Sequence, residues 1–388
     1  MIKGFKIRIY PTREQEQLIW QHIGACRFIW NYMLDLQQRR RELGEKHLSR
    51  FDMINLLPPL KQIEEYAWLK DVSSASLQRT CSMLAVSYDS FFKKRSGFPR
   101  YKSRKRSKPS FPVSSDSVAF YFTDTGVHVP KLGRVKYKSD FEFPQGAWHK
   151  FCNPSISYVN GKYMLSFSMD CENQAPVLTD RVMGIDLGVK ELAVIACDNK
   201  QIVFHNINKS KKVRELKRKL RHTQRTLSRK YEASKKRTGT YEKTQNIERE
   251  GAKARRLYAR LANIRHDYLH QTTAKLISML PQRVTMEDLN VRGMMKNKHL
   301  SKAVAEQCFN EFIRQMRYKC EWNGIEFVQV TRFYPSSKTC SCCGVVKHDL
   351  KLSDRTYVCP ECGLIIDRDY NAAINLMRYV GLQTQATA

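Results

Sequence analysis

The stretch VMGIDLG at residues 182–188 decides the fold expected for this chain, together with KELAVIA at 190–196 and QIVFH at 201–205. All three segments are short and largely apolar, and turn-forming residues separate them. This pattern predicts three successive strands joined by tight turns. Asp186 lies near the middle of the first strand, between Ile185 and Leu187. A carboxylate in apolar surroundings is costly unless a cation or a donor compensates it, so Asp186 is a candidate metal ligand. The alternative is a structural aspartate in a turn.

A second candidate carboxylate ends a later predicted strand. The segment RVTMEDL at 283–289 is a short apolar run that closes on two acids, and a helix over about 301–322 and the strand IEFVQV at 325–330 follow it. This alternation of strand and helix predicts an α/β domain, and the three-strand meander before it is typical of an RNase H-like sheet. Glu287 alone would be a surface acid, but beside Asp186 in one sheet it becomes a second candidate ligand.

The third candidate lies in IIDRDYNAAINL at 365–376, where the apolar spacing predicts a helix that begins at Asp369. An aspartate at such a position is usually a helix cap. Three carboxylates from separate elements, however, are what two closely spaced Mg²⁺ ions need for phosphodiester hydrolysis. Asp367 and Asp369 face opposite ways in an extended chain, so only one should bind metal. We expect Asp369 to be that ligand because it begins the helix.

Two cysteine knuckles, CSCCG at 340–344 and CPECG at 359–363, have fifteen residues between Cys343 and Cys359. This spacing predicts a zinc ribbon with four thiolate ligands. Cys342 would leave only one residue between ligands, so we expect it not to bind zinc. A site with four protein ligands is structural and leaves no open position for chemistry. The predicted zinc ligands are Cys340, Cys343, Cys359 and Cys362.

Charge identifies the class of partner. The chain has 388 residues and a formal net charge of +31, with too many apolar residues for a disordered polycation. Nucleic acid is the expected partner, because the basic residues extend over long helical stretches. No apolar run approaches the roughly 20 residues that cross a bilayer, and the first residues alternate instead of forming a signal-peptide core. We therefore expect a cytoplasmic protein with reduced thiols.

The first half of the chain predicts a strand at residues 2–10 and then a long helix. Thr12 and Gln15 form a capping signal, and apolar residues recur at helical spacing to about residue 42. Another helix is expected from about 73 to 94. Short alternating segments between about 117 and 170 predict a small antiparallel barrel. If strand 2–10 joins that barrel, the helices are an insertion.

Basic residues are concentrated in two segments. Residues 93–108 contain nine Lys and Arg and no acid, and residues 209–265 contain 21 Lys and Arg against five Glu. The second segment predicts a hairpin of two helices whose narrow apolar stripes leave rows of cations for a phosphate backbone. For both segments a merely solvated basic surface is the alternative. The candidate nucleic-acid contacts are Lys93, Lys94, Arg95, Arg100, Lys102, Arg104 and Lys105 in the loop, and Lys217, Arg218, Arg221 and Arg225 in the hairpin.

Together, the motifs of the whole chain resemble those of the TnpB proteins of bacterial insertion sequences. The resemblance is carried by IYPT at 9–12, GFPRYK at 97–102, GIDLG at 184–188, EDL at 287–289, SSKTC at 336–340 and DRDYNAA at 367–373. It implies an RNA-guided DNA endonuclease, related to the type V CRISPR nucleases, with one protein on each guide RNA. The guide, called omega or right-end RNA, would come from the transposon end. A short motif in double-stranded DNA beside the target would be read by the helix around Ser74, Ala75 and Gln78.

The resemblance also implies a division into domains. A wedge β-barrel would comprise residues 1–10 and 110–180, with a helical recognition domain at 11–109 inserted into it. A RuvC nuclease domain of RNase H-like fold would comprise 181–333 and 365–380, including the basic hairpin at 209–280. The zinc ribbon would be inserted at 334–364, and 381–388 would be a disordered tail. The expected fold class is thus mixed α/β and multidomain.

Three other functions are compatible with parts of the sequence. A nuclease-inactive, RNA-guided DNA-binding repressor would be expected to lack one of the three carboxylates, which are all present here. A transposase that acts on DNA directly would share the acidic residues, but the basic hairpin and the family pattern favour a guide-bound nuclease. An ATPase of the Asp-x-Gly type would need further glycine-rich phosphate loops, and none follows residue 188.

Overall fold

The computed structural model describes residues 1–172, 176–351 and 354–379. Two compact units divide the chain, Met1–Glu172 and Asn173–Ala388. Both contain helices and strands, so the predicted mixed α/β class is confirmed. None of the helices within the described ranges is both long and apolar enough to span a membrane. The predicted tail at 381–388 and residue 380 lie outside the described residues.

The first unit contains a seven-stranded antiparallel sheet and the helices that follow its first strand. Its sheet order is β2-β6-β7-β1-β5-β4-β3. The strands are β1 (Ile2–Tyr10), β2 (Ser110–Pro112), β3 (Tyr121–Thr123), β4 (Gly126–Val129), β5 (Gly133–Lys138), β6 (Phe151–Val159) and β7 (Lys162–Asp170). The helices are α1 (Arg13–Glu42), α2 (Arg50–Asn55), α3 (Leu57–Leu60) and α4 (Ser74–Phe92), with a 3₁₀ helix at Glu64–Lys70.

Strand β1 joins this sheet at its centre, paired with β5 on one side and β7 on the other. The helices therefore lie in sequence between a central strand and its partners, as expected if strand 2–10 joins the sheet. The capping signal is confirmed, since Thr12 and Gln15 form the capping box of α1. The predicted small antiparallel barrel takes the form of an open sheet in residues 1–172, with β2 and β3 at its opposite edges. Aromatic rings such as Phe122, Phe143 and Phe167 pack against one another in its core.

Helices and strands of the first unit share one hydrophobic core. Buried residues of α1 and α4 belong to the same cluster as those of the sheet. His22 of α1 illustrates this joint packing, since its ring lies 5.0 Å from that of Phe111 in β2. The division into a wedge and a recognition domain remains a prediction, and the two segments do not have separate cores.

The second unit is organised around a five-stranded sheet in the order β10-β9-β8-β11-β12. The strands are β8 (Val182–Leu187), β9 (Glu191–Cys197), β10 (Lys200–His205), β11 (Arg283–Glu287) and β12 (Glu326–Val330), and β13 (Thr356–Val358) and β14 (Ile365–Asp367) form a separate pair. The helices are α5 (Lys211–Thr238), α6 (Gln245–Ile277), α7 (Val291–Met294), α8 (Ser301–Gln307), α9 (Phe309–Trp322) and α10 (Arg368–Arg378), with a 3₁₀ helix at Ile207–Lys209.

This sheet contains the predicted meander. Strands β8, β9 and β10 are antiparallel, whereas β8, β11 and β12 run parallel. One face packs against α6 and α9 through residues such as Leu269 and Phe312, and α10 covers the other face through Ala373. Helices α5 and α6 form the predicted basic hairpin, joined by Leu216, Leu220 and Leu261.

Two predicted domain boundaries fall between residues that contact common partners in the structure. The first, at 180/181, separates residues that pack together: Leu178 contacts the core of the second unit, and the Thr179 amide donates to the Leu280 carbonyl at 2.8 Å. The second boundary, at 364/365, cuts through a hairpin, because β13 pairs with β14. The domain division remains a prediction, and these contacts with residues distant in sequence are not visible in the composition of the chain.

Candidate active site

Two of the three predicted carboxylates meet because their strands are parallel neighbours. In the register of β8 with β11, Ile185 lies opposite Met286. Continuing that register by one residue brings Asp186 beside Glu287. Both side chains are half-buried. Side chains two residues apart point to the same face of a strand, so Asp186 faces the same side as Gly184.

Gly184 explains how the third carboxylate reaches this face. A Cβ atom at this position would lie 2.0 Å from the carbonyl oxygen of Ala373 and 2.2 Å from the backbone nitrogen of Met377. Helix α10 therefore rests its backbone directly on strand β8. Asp369 precedes Ala373 by four helical residues, a rise of about 6 Å, and Asp186 follows Gly184 by two strand residues, about 6.6 Å. Because the Asp369 charge also acts on Asp186, we infer that the matched spacings bring the two carboxylates to the same end of the contact.

The carboxylates of Glu287 and Asp369 act electrostatically on that of Asp186. Burial raises the pKa of Asp186 well above its usual range, and the charges of Glu287 and Asp369 raise it further. Burial also raises the pKa of Glu287, which the hydroxyl of Ser336 opposes by donating a hydrogen bond to that carboxylate. The guanidinium of Arg368 lies 3.6 Å from Asp369. Arg368 lowers the pKa of Asp186, but the charges of Glu287, Asp369 and Asp367 all raise it, so negative charge predominates among these groups.

Asp367, not Asp369, stands at the start of α10, so the reason for expecting Asp369 to be the ligand was wrong. The side chain of Asp367 is the cap of α10, accepting hydrogen bonds from the amides of Asp369 and Tyr370 at 3.0 Å each. Asp369 therefore does not begin the helix; it is the second helical residue. With its cap role taken by Asp367, the Asp369 carboxylate is left to face Asp186.

The acidic cluster has the donor set that a hard divalent cation requires. Oxygen ligands suit Mg²⁺, and a buried excess of carboxylates is compensated by such a cation. The ligand atoms of the three acids do not all lie within 4.8 Å of one another, whereas those of two other groups in the described ranges do. A pair of ions a few ångströms apart does not require every carboxylate to touch the same ion. The residues present therefore fit the cation.

The Sγ atoms of the four predicted zinc ligands all lie within 4.8 Å of one another. The Sγ atoms of Cys340 and Cys362 are 3.6 Å apart, and those of Cys343 and Cys359 are 3.5 Å apart. Zn–S bonds of about 2.3 Å separate tetrahedral ligands by roughly 3.8 Å, so the cluster fits a zinc ion. The Cys362 amide helps to lower the pKa of Cys359 to about 6, which favours the thiolate. Cys342 is exposed and outside the cluster.

Sequence reasoning missed the residues that attach this cysteine-bearing segment to helix α10. Asn371 donates to the Thr339 carbonyl at 2.7 Å and accepts from the Ser341 amide at 2.9 Å. Asn375 donates to the carbonyls of Ser336 and Thr339, both at 2.7 Å. The signal was available, since asparagines four residues apart lie on one face of a helix. They connect α10, which carries Asp369, to the segment that carries Ser336.

The predicted nucleic-acid contacts fall into two groups. Most are exposed cations, and Gln78 is exposed on α4. Two lysines have protein partners: Lys217 pairs with Glu306 at 2.6 Å, and Lys102 lies 3.6 Å from the ring centre of Trp30. Phe98 packs on the core of the first unit and Tyr101 donates to Gln38 at 2.7 Å, so these aromatics attach the basic loop to the protein body.

Comparison with known proteins agrees with these features. Residues 1–46 match a family described as a helix-turn-helix domain, residues 166–298 one described as a probable transposase, and residues 309–376 one described as Cas12f1-like, TNB domain. The first description differs from the structure, where residues 1–46 contain one strand and one long helix.

Two curated relatives align with nearly the whole chain. A Streptomyces pristinaespiralis protein, provisionally named an RNA-guided DNA endonuclease, is 32% identical over 97% of this chain and 88% of its own length. Escherichia coli InsQ, provisionally given the same activity, is 30% identical over 97% of this chain and 92% of its own. Among solved structures, the mini RNA-guided endonuclease CRISPR-Cas_phi3 has a TM-score of 0.49 at 11% identity, covering 97% of this chain and 92% of that chain.

The fold and the site thus define a class, an α/β protein that combines clustered carboxylates on a mixed sheet with a four-cysteine cluster. Within this class the alignments identify the family. The chain belongs to the TnpB family, as the sequence motifs predicted.

Proposed function

We propose that this protein is an RNA-guided DNA endonuclease encoded by a transposon, and that Asp186, Glu287 and Asp369 are its catalytic residues. The observation that carries the proposal is the convergence of these acids from β8, β11 and α10 on one face of the sheet. Relatives that align over nearly the whole chain bear the name of this activity. In this assignment the five-stranded sheet is a RuvC domain of RNase H-like fold.

The three carboxylates would hold two Mg²⁺ ions, which supply an activated water and stabilise the leaving oxygen of the cleaved phosphodiester. The protein contributes position and charge. Gly184 fixes the distance between α10 and β8, and with it the separation of Asp369 from Asp186. Ser336 holds the Glu287 carboxylate in one orientation by its hydrogen bond. Because the acids already crowd one another, a cation entering the site relieves their repulsion.

The cysteine cluster would hold one structural zinc ion. The ion would fix the knuckles from which the Ser341 amide and the Thr339 carbonyl bond to Asn371. A folded ribbon is thereby connected to α10 and, through Ser336, to Glu287. Zinc would contribute to catalysis only by holding this segment in place.

Nucleic acids would contact the exposed cations of the basic loop and the α5–α6 hairpin, where Arg218, Arg221 and Arg225 are all exposed. A guide RNA derived from the transposon end would pair with the target strand, so base pairing would read the sequence. The helix that carries Gln78 would face the target-adjacent motif. The wedge and recognition domains and a complex of one protein per guide RNA belong to the same proposal.

Cleavage by matched variants tests the active site. The protein, co-expressed with its RNA, is expected to cut double-stranded DNA bearing the matching target when Mg²⁺ is added. Asp186→Ala should abolish cutting but retain DNA binding, because phosphate contacts lie elsewhere. Asp288→Ala is the control, since Asp288 adjoins Glu287 but pairs with Arg332 at 2.8 Å. Cutting by Asp186→Ala, or equal loss in both variants, would exclude this site.

The RNA that copurifies tests guidance independently. Sequencing should find one transcript from the transposon end, with a variable segment that matches the cleaved target. If the protein copurifies without RNA and still cuts DNA in the presence of Mg²⁺, it acts on DNA directly, as a transposase would. If it binds guided DNA but never cuts, it is an RNA-guided DNA-binding protein.

A further inference from the structure

Two histidines and a glutamate, all residue types that bind metals, lie together between helices α6 and α9, on the opposite face of the sheet from α10. His266 and His270 are four residues apart on α6 and therefore share one helix face. Glu311 is in the first turn of α9. One ligand atom from each of these three residues lies within 4.8 Å of the others. None of them has a part in the proposed cleavage reaction.

The spacing of these atoms suits one metal ion. Zinc binds imidazole nitrogen and carboxylate oxygen at about 2.1 Å, so two tetrahedral ligands lie roughly 3.4 Å apart. The Nε2 atom of His266 is 3.3 Å from a carboxylate oxygen of Glu311. The rings of His266 and His270 are 4.8 Å apart between centroids. The His266 side chain is 55% exposed, so an ion can reach the site from solvent.

We propose that His266, His270 and Glu311 form a second metal site, which binds a divalent transition-metal ion of the Zn²⁺ class. Imidazole nitrogen is a borderline donor, so the two histidines favour zinc, cobalt or nickel over Mg²⁺, while the carboxylate oxygen accepts either class of ion. Three protein ligands leave a coordination position for water. The bound ion joins α6, the second helix of the basic hairpin, to α9.

Arg314 competes with the metal for Glu311. It donates to both carboxylate oxygens, at 2.8 and 2.7 Å, and Gln315 donates to one of them at 2.9 Å. The Arg314 side chain is 61% exposed, so it can move aside at little cost. The nearby cation makes this site weaker than the cysteine cluster. The site therefore exchanges its ion with the free metal pool, whereas the ribbon keeps its own.

Zinc content tests the proposal without reference to cleavage. The full chain with its copurified RNA is dialysed to equilibrium against buffered free Zn²⁺, and zinc per protein is measured. Wild type should hold two ions, and His266→Ala/His270→Ala should hold one. His222→Ala, an exposed histidine on α5, is the matched control and should hold two. Equal zinc in wild type and the double variant would overturn the proposal.

Cobalt distinguishes the two sites by spectroscopy. Co²⁺ bound by thiolates gives intense sulfur-to-metal charge-transfer bands, whereas Co²⁺ bound by imidazole and carboxylate gives only weak visible bands. Wild-type protein whose cysteine cluster is already filled with zinc should show the weak bands when it is titrated with Co²⁺. The double variant should bind Co²⁺ at this site more than about 100-fold more weakly. Losing only the hydrogen-bond partner of a metal ligand already costs about 10–100-fold in metal affinity, and here two ligands themselves are lost. Arg314→Gln should bind up to about fivefold more tightly. Weak bands of equal strength in the double variant would refute the assignment.

Discussion

Replacing Gly184 with alanine should separate helix α10 from strand β8. The new Cβ would lie 2.0 Å from the Ala373 carbonyl oxygen, 2.2 Å from the Met377 nitrogen and 2.9 Å from the Leu376 carbonyl carbon. All three are backbone atoms, so no side chain can rotate away. An ordinary contact begins at 3.4 Å, so the helix would have to move by about 1.4 Å. Asp369, one turn along α10, would move with it.

The displacement should affect both stability and activity. Overpacking a well-packed interface costs about 1–3 kcal/mol, and each kcal/mol lowers Tm by about 2–4 °C in a unit of this size. A displacement of about 1 Å at a catalytic constellation costs roughly 100-fold in rate. We therefore expect Gly184→Ala to fold, to melt several degrees lower, and to cut target DNA at least about 100-fold more slowly.

The measurements are thermal unfolding and single-turnover cleavage by the protein–RNA complex, with DNA binding measured in parallel. Gly4→Ala is the matched control, because Gly4 also lies in a strand and a Cβ there would have no atom within 4 Å. It should be neutral or stabilising by about 0.4–1 kcal/mol. If Gly184→Ala melts and cleaves like wild type, the close approach of α10 does not position Asp369, and the reasoning is wrong.

The remaining predictions concern individual residues. Asp186→Asn should raise Tm in chelator, because it removes a charge that burial and neighbouring acids disfavour, and should abolish stabilisation by Mg²⁺; a Tm below wild type in chelator would contradict this. Asn375→Ala should cost about 1–3 kcal/mol, because the Ser336 carbonyl loses its donor while Asn371 still bonds the Thr339 carbonyl. Hydrogen exchange should show a loosened cysteine segment, with unchanged protection as the contrary result. Burial lowers the pKa of His22, so wild type should lose stability as pH falls through about 6.5, and Tm against pH should be flatter in His22→Gln. Arg221→Ala should reduce the salt slope of RNA binding by about 1. Lys217→Ala should instead lower Tm, because Glu306 then keeps only its pairing with Arg265. Equal reductions of the salt slope in the two variants would argue against separating a cation that binds RNA from one that pairs within the protein.

Much of the fold was predictable because its signals are local. A capping box such as Thr12 with Gln15 is formed within four residues, and the meander of β8, β9 and β10 needs only short turns. Tertiary contacts added what local signals do not contain. The sheet of the first unit stays open between β2 and β3, and residues near 180 and 364 pair with partners distant in sequence.

The sequence by itself determined the chemistry that is available: three acids, four cysteines at zinc-ribbon spacing, and two concentrated basic segments. Only the tertiary structure decided the role of each acid. Asp367 and Asp369 look equivalent along the chain, yet one caps α10 and the other faces Asp186. That difference depends on the packing of α10 against Gly184, a contact between residues nearly 190 positions apart in sequence. Local spacing cannot encode such an approach, because it exists only once the sheet has formed and the helix has docked on it.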